Sequence, residues 1–191
     1  MDTRIKNKGF TLVEMMVAIT IFSVIVGAAI GVFVSSMKSQ RKVLAEQEIL
    51  DQTSYALEYI SRAIRMAKKD SGPECLSLDN LNYEKTSSGT GGIKFKTYLG
   101  DYCQEFFREC SGGKCYLVER KTEIDTGFIT ENNLTAPNLN VASFNIGPAD
   151  TWSQDDSLQP AITIFFEIEG KENSKISIQT TISQRNLDVQ Y

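Results

Sequence analysis

The sequence predicts an α+β protein: one long N-terminal helix, apolar in its first half, followed by an antiparallel β-rich head. Three observations predict it. From Phe10 to Val34 run 25 residues with a single charge, Glu14. From Ser35 to Lys69 there is neither proline nor glycine, and apolar residues recur at helical spacing. After Pro73 the apolar period changes from about 3.6 to 2, the signature of strands half covered on one face.

The first segment, residues 10–34, is long enough as a helix of ~1.5 Å rise per residue to cross a hydrocarbon layer ~30 Å thick. It exceeds the ~7–15-residue apolar core of a secretory signal, and no small-residue cleavage site follows it. Gly27 and Gly31 fit the small-residue spacing that allows close helix approach, a weak match in so apolar a run. An ionised carboxylate in hydrocarbon costs a few kcal/mol, so Glu14 calls for a partner.

The second segment, residues 35–70, is amphipathic. Val43, Leu50, Leu57 and Ile64 repeat every seven positions, with Ile60, Ala67, Ala56 and Ala63 beside them. Glu46 and Thr53 fall on the second stripe and weigh against a coiled coil. The helix is expected to run from about Phe10 to about Lys69 and to stop at Asp70-Ser71-Gly72-Pro73.

The head, residues 71–191, shows strands at Ile93–Tyr98, Tyr102–Glu109 and Cys115–Arg120, with turns at Leu99-Gly100-Asp101 and Ser111-Gly112-Gly113. Residues 121–140 carry little period. Val141–Ile146 reads as a strand, and residues 147–160 as a polar loop around Trp152. The clearest hairpin pairs Ala161–Glu169 with Lys175–Ser183 around Gly170–Ser174, with Ile162, Ile164, Phe166 and Ile168 alternating on one arm and Ile176, Ile178, Thr180 and Ile182 on the other. The long helix is the natural cover for the apolar face.

The leader, residues 1–9, carries Arg4, Lys6 and Lys8 against Asp2. Its removal would leave 17 basic against 23 acidic residues, taking the net charge from −4 to −6. Such an acidic chain disfavours direct nucleic-acid binding. The three cations before the apolar run are balanced by Lys38, Arg41 and Lys42 after it, so charge alone does not orient the segment. All four cysteines lie in the head. An even number there suggests an oxidising compartment outside the cytoplasm.

Lys8-Gly9-Phe10-Thr11-Leu12-Val13-Glu14, a basic leader meeting a long apolar run, resembles the processing site of type IV pilins and type II secretion pseudopilins. The resemblance implies a pilin-like fold and cleavage after Gly9 by the prepilin peptidase, which methylates the new N-terminal Phe10. It implies that Glu14 neutralises the N-terminal ammonium of a neighbouring subunit. Pairing the two groups would satisfy both charges in a low-dielectric fibre core. Major type IVa pilins carry a proline later in the apolar run; this chain has none there. The ending Gln179-Thr180-Thr181-Ile182-Ser183-Gln184-Arg185-Asn186, with Gln159-Pro160 before a strand, resembles the J-type minor pseudopilins of type II secretion and PilW-like minor pilins. That subgroup implies I- and K-type minor partners, a major subunit, an inner-membrane assembly platform and a position near the fibre tip. It also implies a single-pass anchor in the inner membrane with the head outside the cytoplasm, before entry into a periplasmic or surface fibre.

Other chemistry is thinly supported. In a hairpin centred on Gly112-Gly113, Cys110 and Cys115 would lie opposite each other, leaving Cys75 for Cys103; four cysteines allow three connectivities, and the pairing stays open. The sequence has no histidine, which removes Ser–His and Cys–His nucleophile pairs and histidine metal ligands. Without a Cys-x-x-Cys, a zinc site is disfavoured. Asp155-Asp156, or Glu167 with Glu169, could serve as acid and base or bind calcium, but surface solvation explains them better. Gly89-Thr90-Gly91-Gly92 lacks the lysine of a phosphate loop and reads as a turn. Asn133-Leu134-Thr135 fits a glycosylation acceptor. Tyr55 and Tyr59 either contact a partner or pack on the domain edge. No cofactor, metal or catalytic residue is expected. The alternatives to a fibre subunit of secretion are a signal-anchored envelope domain with its own binding or enzymatic activity, and a competence or adhesion pilin.

Overall fold

The computed structural model describes residues 9–149, 152 and 159–185. Arg4, Lys6 and Lys8 of the leader, the Asp155-Asp156 pair and Asn186 lie outside the described residues. The chain divides into two units, one up to Val43 and one from Leu44 onward. Helix α1, Leu12–Arg65, runs from the first into the second.

In the first unit the helix is exposed all round, including Val13, Ile19, Phe22, Ile25, Ile30 and Phe33. It is long and apolar enough to cross a membrane.

In the second unit the helix packs on β-structure, and the fold is α+β. The stripe it buries keeps Ala56, Ile60 and Ile64 of the sequence reading and departs from the heptad before them. The buried positions are Ala45, Ile49, Thr53, Ala56, Ile60 and Ile64, whereas Val43 and Leu50 are exposed. Steps of four and three residues place this row on one face of a straight helix; a strict seven-residue repeat drifts off it. Thr53 belongs to the row because its hydroxyl donates to the Ile49 carbonyl at 2.6 Å, which satisfies it internally.

The helix stops at Arg65, earlier than the glycine and proline at 72 and 73 would require. Tertiary partners capture its terminal carbonyls, which have no partner inside the helix. The Tyr83 hydroxyl donates to the Ile64 carbonyl at 2.8 Å. The Arg185 backbone N–H reaches the Arg65 carbonyl at 2.9 Å, and the Gln184 amide reaches that of Ala67 at 2.8 Å. Lys68 and Asp70 then form bridges with Lys96 and Leu81 instead of another turn.

The head holds two antiparallel sheets rather than one. The first comprises β1 (Glu84–Lys85), β2 (Thr90–Lys96), β3 (Tyr102–Ser111), β4 (Lys114–Glu123) and β5 (Ile129–Asn133), paired in chain order. The second is a meander of β6 (Asn140–Gly147), β7 (Ala161–Glu169) and β8 (Lys175–Ser183). In the last hairpin Ile162 faces Ile182, Phe166 faces Ile178 and Ile168 faces Ile176. Strands β1 and β5 had no usable period: β1 is two residues long and β5 is exposed throughout.

One core joins the layers. Ile49, Ala56, Ile60 and Ile64 of the helix meet Ile93, Phe95, Phe106 and Leu117 of the first sheet and Val141, Phe144, Ile164 and Phe166 of the second. Phe106 stands edge-on to Tyr59 with ring centroids 6.1 Å apart, and Phe144 edge-on to Phe166 at 5.7 Å.

The glycine run at 89–92 serves this junction. Gly91 adopts φ +68°, where L side chains are strained, and a Cβ there would collide with the Phe144 carbonyl of β6. A register shift between Thr90 and Ile93 marks a bulge at the same place. Gly91→Ala is expected to lower head stability by about 2–3 kcal/mol, from backbone strain plus the forced separation of the sheets. Urea denaturation would measure it, and an unchanged midpoint would refute the close-approach role.

Candidate functional site

The candidate site is the start of α1. Gly9 and Phe10 precede the helix and are exposed. Thr11 stands at the N-cap position, and Glu14 is three residues on. The Glu14 Oε2 accepts the Thr11 backbone N–H at 2.9 Å and the Thr11 hydroxyl at 3.0 Å. In return the Thr11 Oγ1 accepts the Glu14 backbone N–H at 3.3 Å. This is a capping box, two otherwise orphaned donors satisfied reciprocally. The carboxylate also sits near the positive end of the helix dipole.

Glu14 therefore has a local role that was not read from the sequence, although Thr-x-x-Glu before an apolar run is its signal. The box holds the side chain back along the helix toward Phe10. Both bonds fall on one oxygen; among the described residues the second, Oε1, accepts none, so the group keeps acceptor capacity. Downstream, a Cβ at Gly27 or Gly31 would meet nothing within 4 Å. Neither glycine is required by packing inside this chain.

The cysteines are brought together in two pairs. Cys75 is bonded to Cys103, with Cα atoms 5.3 Å apart. Cys110 is bonded to Cys115, which it faces directly across the β3–β4 hairpin.

The carboxylates raised as acid and base candidates are surface ion pairs where they are described. Glu167 lies 2.8 Å from the Lys175 ammonium, and Glu169 lies 3.8 Å from it. The bond from Lys175, then that from Ser177, holds the Glu167 carboxyl below its ordinary value. Neither geometry nor exposure resembles a tuned acid–base pair.

Buried carboxylates the sequence reading missed hold the fold. Asp70 is fully buried and accepts the backbone N–H groups of Cys75 and Leu76 at 2.8 and 3.0 Å; the Lys96 ammonium is 3.6 Å away. Glu119 accepts the Tyr59 hydroxyl at 2.6 Å and the Gln104 amide, with Lys121 at 3.1 Å. Burial, then the bond to Glu119, raises the Tyr59 phenol. Burial works against the Lys121 charge, but Tyr59 and Glu119 together raise its pKa above the ordinary value. Tyr59 thus packs on the domain edge, while Tyr55 is exposed. Asn133 is exposed, and the buried Thr135 hydroxyl accepts the Leu117 N–H at 3.1 Å.

No curated protein and no solved structure matches the chain. Residues 4–30 match the family model for the prokaryotic N-terminal methylation motif, which spans Gly9, Phe10, the capping box and most of the exposed apolar helix. The likeness is to that motif and covers the N-terminal segment of the chain alone.

Proposed function

We propose that this chain is a minor prepilin-like structural subunit. The prepilin peptidase removes the leader after Gly9 and methylates Phe10, and the mature chain enters a type II secretion pseudopilus or a type IV pilus, at or near the tip. The observation that carries this reading is the methylation motif at the head of an exposed apolar helix. Glu14 acts as the assembly carboxylate. The exposed run from Phe10 to Val34 holds the subunit in the inner membrane as a single-pass anchor before assembly, with the head outside the cytoplasm, and then lies against other subunits. The two disulfides suit that location, since such bonds persist in oxidising compartments. The partners are the peptidase, the inner-membrane assembly platform, a major subunit and I- and K-type minor subunits. The J-type or PilW-like ending fits either a secretion pseudopilus or a type IV pilus.

Mass spectrometry of the chain isolated from its own host tests this directly. The expected N-terminus is N-methylated Phe10. An envelope-bound chain still beginning at Met1 would sink the proposal.

A further inference from the structure

We infer that the end of the helix carries a second recognition surface, shaped for an acidic segment of another protein that bears an apolar anchor. Two adjoining depressions form it, sharing Arg62 and Met66. The first, about 530 Å³, is lined by Arg62, Arg65 and Arg185 with Glu58 and Ser61. The bond from the Arg185 N–H to the Arg65 carbonyl brings those two residues side by side. Arg62 lies one turn earlier on the helix.

Guanidinium groups stay charged at any physiological pH. The one carboxylate in this lining, Glu58, is 2.8 Å from Arg62. Among the described residues, Arg65 and Arg185 have no ion pair. Three cations against one anion thus crowd a depression on a chain whose net charge is −4. Like charges so placed repel, and carboxylates from outside relieve the repulsion through forked hydrogen bonds.

The second depression, about 370 Å³, supplies the apolar half. Tyr59, Ala63 and Met66 form one wall, and Tyr98 and Leu99 of the β2–β3 turn with Tyr102 at the start of β3 form the other. Tyr98 is 55% exposed and Leu99 75%. Tyrosine and arginine around a small apolar well match the composition that carries most binding energy at protein interfaces. Isolated surface ion pairs contribute little, so the affinity depends on both halves being filled together. A short cationic cluster on an acidic chain is poorly suited to nucleic acid, which needs an extended basic track.

Fluorescence anisotropy on the full chain in detergent micelles tests the surface. The probe is a labelled synthetic peptide of alternating aspartate and phenylalanine. Saturable binding is expected. Arg65→Glu with Arg185→Glu should weaken it about tenfold, as should Leu99→Asp alone, while thermal melting of the head stays unchanged. Replacing aspartate by lysine, or phenylalanine by serine, in the probe should also weaken binding about tenfold. Equal binding by either control peptide or by the arginine variant overturns the inference. Tighter binding of a single-stranded oligonucleotide would reassign the surface to nucleic acid and overturn it too. So would stronger peptide binding after truncation behind Arg185, which would make the chain's own following residues the occupant. None of these outcomes depends on fibre assembly or on cleavage at Gly9.

Discussion

Glu14→Ala is expected to abolish incorporation of the chain into the fibre while leaving the folded head intact. Two effects of the carboxylate must be separated. The first is local: through the capping box with Thr11, Glu14 starts the helix, and losing such a cap costs about 1 kcal/mol. In a helix whose exposed apolar run is stabilised by its surroundings, fraying of one turn is a small defect. The second is the charge. A carboxylate at this depth costs a few kcal/mol unless a cation meets it, and in the proposed fibre the methylated N-terminal ammonium of a neighbour is that cation. Removing the acid leaves that ammonium without its partner, and an uncompensated charge in a low-dielectric core costs roughly 3–5 kcal/mol.

Glu14→Gln separates the two effects. Glutamine serves a capping box as well as glutamate does, but it carries no charge. If pairing governs assembly, Gln fails as Ala does. If helix initiation governs it, Gln restores the fibre. The readout is the fraction of chain in sheared, pelleted fibre relative to membrane, with thermal melting of the head as the folding control. Wild-type incorporation of either variant would remove the pairing role.

How much of this was legible beforehand varies by element, for physical reasons. The last hairpin was readable to the residue because β7 and β8 alternate without interruption, and period 2 fixes which side chains face the core. The N-terminal constellation was readable because its residues are neighbours in the chain. The buried stripe was read correctly at Ala56, Ile60 and Ile64 and misread at Val43 and Leu50, because Leu and Val at seven-residue spacing outweigh Ala45 and Thr53 on any hydropathy count. Yet the small side chains are the ones that are buried. The helix end was misplaced because Tyr83, Gln184 and Arg185, which cap it, are far away in sequence. Asp70 was taken only as part of a stop signal. Nothing local reveals that Cys75, Leu76 and Lys96 converge on its carboxylate. The two sheets meet at the close approach of Gly91 to Phe144, a contact between strands more than fifty positions apart.

Removing the Cys75–Cys103 bond by a Cys75→Ser, Cys103→Ser double change is expected to be the most destabilising alteration of the head among those considered. The bond closes a loop of sequence separation 28, for which chain entropy alone gives about 3–4 kcal/mol. Its position adds to that. Residues 71–76 follow the Asp70–Leu81 bridge without regular structure, and their ties include the disulfide, the two backbone N–H bonds to Asp70, and the contact of Asp70 and Glu74 with Lys96. Asp70 is fully buried. Loosening the segment that supplies its donors leaves a buried carboxylate under-solvated, and the cost of such a group is steep. The Cys110–Cys115 bond makes a clean control. It spans a separation of five at the tip of a hairpin already held by its ladder, so the same entropy estimate gives only about 2 kcal/mol. Thermal melting of the two double variants under oxidising conditions should therefore show the first falling well below the second. Equal shifts would mean that loop entropy and the Asp70 network contribute nothing beyond a generic bridge. A larger shift from the hairpin pair would mean that the β3–β4 tip, rather than the helix end, is where the head begins to unfold.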